Sequence, residues 1–330
     1  MLPLPFREGG WGVRCMKSYD VIVVGAGPAG LTAALYTGRA RLSTLVLEKM
    51  GPGGQLLNTE LVEDYTGFAS ITGHEMARLF EEHALKFGAE MAYGTVSEIW
   101  TEGARKRVRT EEGDEYEAKA VIVCSGGMPR KLGVPGEAEL AGRGVSYCAI
   151  CDGAFFKDQI LAVVGGGDSA VEEATFLTRY ASKVYLVHRR DELRAQKILQ
   201  ERMFNNPKIE AVWNTVVGEI GGEGEVQWIR TRDAIDGKVG KLEVGGVFIY
   251  VGFKPSSDIF RDPIKCDPLG FVITDDKMES SQPGIFVAGD VRSQFVRQIT
   301  NAVGDATTAA VAATKLLEEL EHAEQDQAVA

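Results

Sequence analysis

Tyr19-Asp-Val-Ile-Val-Val24 is a nearly unbroken apolar run, the pattern of a parallel strand buried on both faces. A glycine turn follows it, then a helical stretch over 29–38, then a second apolar run, Ser43-Thr-Leu-Val-Leu-Glu48. From Gly73 to Phe87, Met76, Leu79, Phe80 and Ala84 recur at helical intervals and predict an amphipathic helix. Residues 95–118 are polar with short alternations and read as an antiparallel ribbon, and Lys119 to Cys124 reads as another buried strand.

The same order then returns. After a connection spotted with proline and glycine, Gly126 to Gly136, come a strand over 159–164, a glycine turn, a helix over 168–180 and a strand over 183–188. A ribbon over 216–243 and a strand over 247–251 complete the second copy, whose first turn glycine, Gly165, lies 140 residues after Gly25. The tail offers short strands near 271–274 and 285–288 and a helix over 305–322, but no third glycine turn, so it is expected to complete one of the two units. The fold class is therefore α/β with two Rossmann-like dinucleotide-binding units.

Gly25-Ala-Gly-Pro-Ala-Gly30 has the G-x-G-x-x-G form directly after a strand and at the opening of a helix. Gly25, Gly27 and Gly30, with Pro28 and Ala29 between them, let the backbone turn tightly and bring a diphosphate to the helix N-terminus, where free N–H groups and the dipole favour anions. Glu48 ends the next strand, where an acid accepts hydrogen bonds from ribose hydroxyls. The alternative is a plain glycine turn without ligand.

The second turn, Gly165-Gly-Gly-Asp-Ser-Ala170, is the G-x-G-x-x-A variant and presents Gly165, Gly167, Asp168, Ser169 and Ala170. The interval that leads from Gly25 to Glu48 leads from Gly165 to His188, so the acid is missing and Arg189, Arg190 and Arg194 follow. Guanidinium groups pair with a 2'-phosphate that a carboxylate would repel, so this site is expected to prefer NADPH to NADH. The competing reading is that these arginines only solvate a loop. Two such sites in one chain suggest that one holds a flavin and the other delivers hydride to it, and the acid-bearing first copy is the better flavin candidate.

Composition narrows the partners. The chain has 330 residues, 45% hydrophobic and 25% charged, which is ordinary for a globular protein of two domains. A net charge of -11 argues against nucleic acid as the main partner. No apolar run is long enough to span a membrane, and no secretory h-region is visible. Residues 1–17 read as a flexible extension within which Met16 is an alternative start. Five cysteines in so long a chain do not form a secreted disulfide framework, so a reducing cytoplasm is the expected location.

Two of the five form Tyr147-Cys-Ala-Ile-Cys-Asp152, a C-x-x-C followed at once by an acid. This spacing brings Cys148 and Cys151 within disulfide reach and often lowers one thiol's pKa. Asp152 is placed to carry a proton for disulfide chemistry. The alternatives are half of a zinc site, which lacks two further ligands, or a pair of inert core thiols. No metal site is expected: there is no second C-x-x-C, and His74 and His83 are nine apart on one helix. Cys124 and Cys266 read as small hydrophobes, and Cys15 as incidental.

From Ser18 to about Leu320 the chain resembles the low-molecular-weight, bacterial-type thioredoxin reductase family. The resemblance rests on Gly25 to Gly30, Gly53-Gly-Gln-Leu56, Cys148-Ala-Ile-Cys-Asp-Gly153, Gly165 to Ala170, His188-Arg-Arg-Asp191, Gly284-Ile-Phe-Val-Ala-Gly-Asp290 and Arg297-Gln298. It implies two domains of the three-layer ββα type, one inserted into the other: an FAD-binding domain of 18–128 and 258–330, and an NADPH-binding domain of 129–257 that carries the C-x-x-C. It implies a thioredoxin-disulfide reductase in which electrons pass from NADPH to FAD to Cys148-Cys151 and on to oxidised thioredoxin. The inserted domain would rotate between half-reactions, on hinges near 126–131 and 252–258.

By the same resemblance Cys151 faces the flavin, Cys148 attacks the partner's disulfide, and Asp152 is the acid. Asp290 would meet the ribityl chain, Arg297 and Gln298 the isoalloxazine ring near a helix N-terminus, and Gln55 and Asp64 would lie near the flavin. The family is homodimeric. The chain departs from it at Asp64, where Asn is common, at Thr66, where Pro is usual, and at Cys124-Ser-Gly126 in place of A-T-G. A carboxylate at position 64 would lower the flavin's potential. Reduction of another acceptor, such as a peroxidase partner or ferredoxin, and a non-catalytic redox sensor are the competing functions.

Overall fold

The computed structural model describes residues 16–59 and 61–329. Most of the expected N-terminal extension, with Cys15, lies outside these residues; Lys17 already belongs to the first strand and sits opposite Tyr116.

The first unit runs β1 (Lys17–Val24), α1 (Pro28–Arg39), β2 (Thr44–Glu48), a short hairpin β3 (Leu61–Val62) and β4 (Ile71–Thr72), and α2 (Gly73–Leu85). It continues through β5 (Glu90–Tyr93), the ribbon strands β6 (Val96–Glu102) and β7 (Arg105–Thr110), and β8 (Glu115–Val123). Strand β9 (Gly127–Pro129) leaves it.

The second unit holds β10 (Val145–Ser146), α3 (Ala149–Asp152), β11 (Ile160–Gly165), α4 (Asp168–Leu177), β12 (Lys183–Val187), α5 (Lys197–Phe204) and β13 (Ile209–Val212). A ribbon of β14 (Thr215–Gly221), β15 (Trp228–Asp233) and β16 (Val239–Glu243) follows, then β17 (Gly246–Tyr250). Strand β18 (Phe253–Pro255) returns the chain to the first unit, where β19 (Ile285–Val287) and α6 (Ile299–Val329) complete it.

Both sheets have one plan. The first is ordered β5-β2-β1-β8, with β19 beside the C-terminal half of β8 and the ribbon β7-β6 beside its N-terminal half. The second is ordered β10-β17-β11-β12-β13, all parallel. A parallel strand covered on both faces must be apolar throughout: Val21, Ile22 and Val23, and Leu161, Ala162 and Val163, are all fully buried. Burying each Val, Ile or Leu side chain contributes roughly 1.5–3 kcal/mol.

The tail does complete the first unit. Ala306, Ala309, Ala310 and Ala313 on α6 pack in one cluster with Ala33 and Ala34 on α1, small residues that let two helices approach closely. The expected helix was shorter: α6 begins at Ile299, because packing against α1 overrides the loop-like Thr300, Asn301 and Gly304.

Other differences have local causes. The expected ribbon over 95–118 and strand over 119–124 share one strand, β8, whose alternating first half pairs antiparallel with β7 and whose apolar second half pairs parallel with β19. The expected strand near 271–274 is reduced to isolated bridges from Val272 to Cys266 and Arg292. Helix α4 ends at Leu177 rather than Tyr180.

The units are joined by two antiparallel strands. β9 pairs with β18, Met128 opposite Lys254, and the bonds continue at Arg130 N–H to Gly252 O and Ser256 N–H to Gly126 O.

Candidate functional site

The first glycine turn is held rather than loose. Gly25 has φ of 94°, a left-handed conformation that favours glycine, and a side chain there would strike the Cys124 carbonyl. A Cβ at Gly30 would overlap the Gly25 carbonyl, so strand and helix close on each other. At Gly27, the N-cap of α1, the atom nearest a Cβ position among the described residues is Gly54 Cα at 3.8 Å. Pro28, at N1, and Ala29 continue the helix. Bare backbone facing space at a helix N-terminus fits a diphosphate.

Glu48 is buried at the end of β2 and accepts hydrogen bonds from Ala26 N–H at 2.7 Å and Met50 N–H at 3.1 Å. It therefore holds the turn as well as closing the strand. Gly53 N–H donates to Ala26 O at 2.7 Å, which ties the Gly53-Gly-Gln-Leu segment to the same turn. Gly289 lies against α1, where its Cβ position is 3.0 Å from Ala29 Cβ, and this brings Asp290 to the turn's neighbourhood. Burial raises the Asp290 carboxyl above its ordinary range, while Arg297 pulls it down and Asp305 pushes it up. Arg297 lies over the Phe271 ring at 4.0 Å, and Gln298 O accepts the first backbone bond of α6.

The second turn joins the arginine segment. His188 is buried with its ring under Gly166, and Arg194 N–H donates to Gly166 O at 2.8 Å. His188 Nε2 is buried with no hydrogen-bond partner among the described residues, and burial lowers the ring's pKa. At Gly167 nothing among the described residues lies within 4 Å of a Cβ position. Asp168 opens α4 and accepts from Gln196 N–H at 2.7 Å; Ser169 is exposed and Ala170 buried beside it. Arg189, Arg190 and Arg194 are all exposed and have no ion-pair partner among the described residues. An open glycine cradle, an orphaned ring nitrogen and three uncommitted guanidiniums fit a phosphorylated dinucleotide.

Cys148 and Cys151 are joined in a disulfide, with Cα atoms 5.4 Å apart. Cys148 is the N-cap of α3, and its sulfur accepts from Cys151 N–H at 3.1 Å. The pair is seated by its own unit through Tyr250, whose hydroxyl accepts from Ala149 N–H at 2.8 Å and whose burial raises its pKa. Asp152 accepts from Ser146 Oγ at 2.6 Å. Asn58, on a 3-10 turn of the first unit, places Oδ1 at 3.3 Å from Cys148 Sγ and 3.7 Å from Cys151 Sγ. Its own Nδ2 donates to Gln55 Oε1 at 3.3 Å. The disulfide of one unit thus faces the glycine-turn side of the other.

A second contact between the units is charged. Arg202 on α5 pairs with Glu63 at 2.5 Å. Nearby, Glu172 on α4 is pushed up to about 7, by burial first and then by Asp168 and Asp64; Arg202 opposes this and Glu63 adds to it. Asp64 therefore lies close enough to the second unit to interact with Glu172.

Nothing in the local sequence pattern singles out Ser146, Tyr250 or Glu172. Asn58 carries one signal, its place just after the Gly53-Gly-Gln-Leu motif. Cys124 is buried and its thiol is pushed up by burial; Cys266 is half-buried against the core of the first unit and is raised for the same reason. Among the described residues no group of three His, Cys, Asp or Glu side chains is placed to hold a metal, and no helix is long and apolar enough to cross a membrane.

Comparison with known proteins agrees with this arrangement. The family model for pyridine nucleotide-disulphide oxidoreductases matches residues 19–306. A thioredoxin reductase of Bacillus subtilis is 52% identical over 306 residues, 92% of this chain and 96% of that one. The chain belongs to the bacterial-type thioredoxin reductases of this family. A crystal structure of Lactococcus lactis thioredoxin reductase, titled as the FR conformation, is 47% identical and superposes with a TM-score of 0.89 over 91% of this chain and 99% of that one. The enzyme from Streptococcus pyogenes is 50% identical over 92% of this chain and 100% of that one, yet its TM-score is 0.61.

Proposed function

We propose that this chain is a thioredoxin-disulfide reductase: electrons pass from NADPH through FAD to the Cys148–Cys151 disulfide and from there to oxidised thioredoxin. The observation that carries this reading is a disulfide in a unit with its own glycine turn, seated 3.3 Å from Asn58 of a unit that has another. When bound, FAD would supply a ring that takes a hydride from NADPH and passes its two electrons to the disulfide.

Residues 18–128 and 258–330 form the FAD-binding domain. Gly25, Gly27, Pro28, Ala29 and Gly30 receive the diphosphate, Glu48 the ribose hydroxyls, and Asp290 the ribityl chain. Gln55, Asp64, Arg297 and Gln298 border the flavin. Residues 129–257 form the NADPH-binding domain, where Gly165, Gly167, Asp168, Ser169 and Ala170 receive the diphosphate. His188 borders that site, and Arg189, Arg190 and Arg194 bind the 2'-phosphate.

Cys151 faces the flavin side, Cys148 attacks the thioredoxin disulfide, and Asp152 holds the proton that reduction of the sulfur–sulfur bond consumes. Because nicotinamide and disulfide share one domain, that domain pivots on the β9–β18 link to present each in turn. Two relatives of nearly equal identity with TM-scores of 0.89 and 0.61 support such a pivot, since rigid units in different orientations superpose poorly as a whole. The protein works as a cytoplasmic homodimer.

The test is NADPH-driven reduction of thioredoxin by the yellow, FAD-loaded protein. Cys148→Ser abolishes thioredoxin turnover while NADPH still bleaches the flavin. Full thioredoxin turnover in that variant, or a colourless wild type that takes up no FAD, overturns the reading.

A further inference from the structure

Ser146 is almost fully buried at the end of β10, two residues before the disulfide. Its hydroxyl meets three groups: Asp152 Oδ2 at 2.6 Å, Cys148 N–H, which donates to it at 3.0 Å, and Cys148 O at 3.2 Å. One hydroxyl proton cannot serve both acceptors. When Asp152 is ionised, the short bond is Ser146 O–H donating to the carboxylate, the stronger charge-assisted choice. When Asp152 is protonated, its O–H donates to Ser146 Oγ and the Ser146 proton turns to Cys148 O. Both states are satisfied by rotating one hydroxyl, without moving a heavy atom.

We infer that Ser146 is the positioning residue of this site: its hydroxyl holds Asp152 beside the disulfide in both protonation states and links that carboxyl to the Cys148 backbone. The inference rests on the assignment of Asp152 as the acid. In net balance, NADPH, one proton and the disulfide give NADP⁺ and two thiols: the sulfur–sulfur bond breaks, NADPH supplies a hydride, which is two electrons and one proton, and Asp152 supplies the remaining proton. A cavity of about 690 Å³ has Ser146 and Asp152 in its wall together with Gln159, Glu225, Gln227 and Glu243. It is open and wide enough to admit water to Ser146 and Asp152.

The experiment uses the full FAD-loaded chain carrying Ser146→Ala, Ser146→Thr, Asp152→Asn, or Ser146→Ala with Asp152→Asn. Two pH profiles are recorded: NADPH-to-thioredoxin turnover, and iodoacetamide alkylation of the dithiothreitol-reduced cysteines. Ser146→Ala is expected to slow turnover about 10- to 100-fold, the cost of losing a hydrogen bond to a charged group, and to displace both profiles. Ser146→Thr, which keeps the hydroxyl, restores both. In the Asp152→Asn background Ser146→Ala costs little more.

Wild-type profiles in Ser146→Ala overturn the inference, as does an equal extra loss in the Asp152→Asn background. If Ser146→Ala fails to fold, a Ser146→Thr variant as slow as Asp152→Asn overturns it. Unimpaired turnover in Asp152→Asn instead removes the acid assignment beneath it.

Discussion

Asn58 Oδ1 lies 3.3 Å from Cys148 Sγ, although 90 positions separate the two residues, one on a 3-10 turn of the first unit and the other at the N-cap of α3 in the second. A disulfide sulfur has no proton to donate, so in the oxidised state this is a contact without a hydrogen bond. Reduction creates a thiol that can donate to the same oxygen. Asn58 thereby favours the reduced pair by about 1 kcal/mol, the size of a neutral hydrogen bond. Asn58→Ala should make the pair harder to reduce by about 20 mV, on the scale of 30 mV per 1.4 kcal/mol for a two-electron couple. Equilibration in thiol buffers with alkylation of free cysteines measures it; an unchanged potential removes the role.

A buried carboxyl beside the charged contact between the units sets a pH dependence. Glu172 is pushed up to about 7 in the folded chain, by burial first and then by Asp168 and Asp64. A carboxyl whose folded pKa is raised imposes no cost below its free value, and its cost grows as pH rises from there to about 7. Stability therefore falls across that window and levels off above it. Glu172→Gln should unfold with the wild type at pH 4.5 and be more stable at pH 8 by about 2 kcal/mol. Thermal unfolding at both pH values checks this, and a gap of equal size at both refutes it.

Cofactor choice tests the exposed arginines. Replacing Arg189 and Arg190 with Glu places carboxylates at the proposed 2'-phosphate site. The NADPH-to-NADH ratio of kcat/KM should fall at least about 100-fold, with affinity for FAD unchanged. Steady-state kinetics with both nucleotides decide it, and an unaltered ratio would falsify the assignment of the second turn.

The helix pair that joins the chain's two ends is a packing test. Ala310 is fully buried between α6 and the α1 cluster. Ala310→Leu adds volume where two helices touch and should cost about 1–3 kcal/mol. Chemical denaturation measures it. A variant of unchanged stability would mean that the helices separate freely there.

Much of this was written in local pattern. The continuous apolar runs at 19–24 and 159–164, each followed by glycines, announced parallel strands feeding helix N-termini, and both are β1 and β11 of the two sheets. Strand β5, Glu90-Met-Ala-Tyr93, and β13 escaped notice because four residues at a sheet edge need no apolar run. Helix α5 did carry a signal, Leu199 and Met203 one turn apart and both buried, but too short to stand out. The cysteines and both turns were legible because their chemistry lies in contiguous residues. Asn58 and Glu172 were not, because what they do depends on partners from the other unit.

The paired strands β9 and β18 have one more effect. A domain fastened at a single point wanders through a sphere, whereas one fastened by two bonded strands swivels like a door on its post. In the proposed cycle the disulfide would therefore revisit the same spot at a frequency set by the molecule itself, however few copies share the solution.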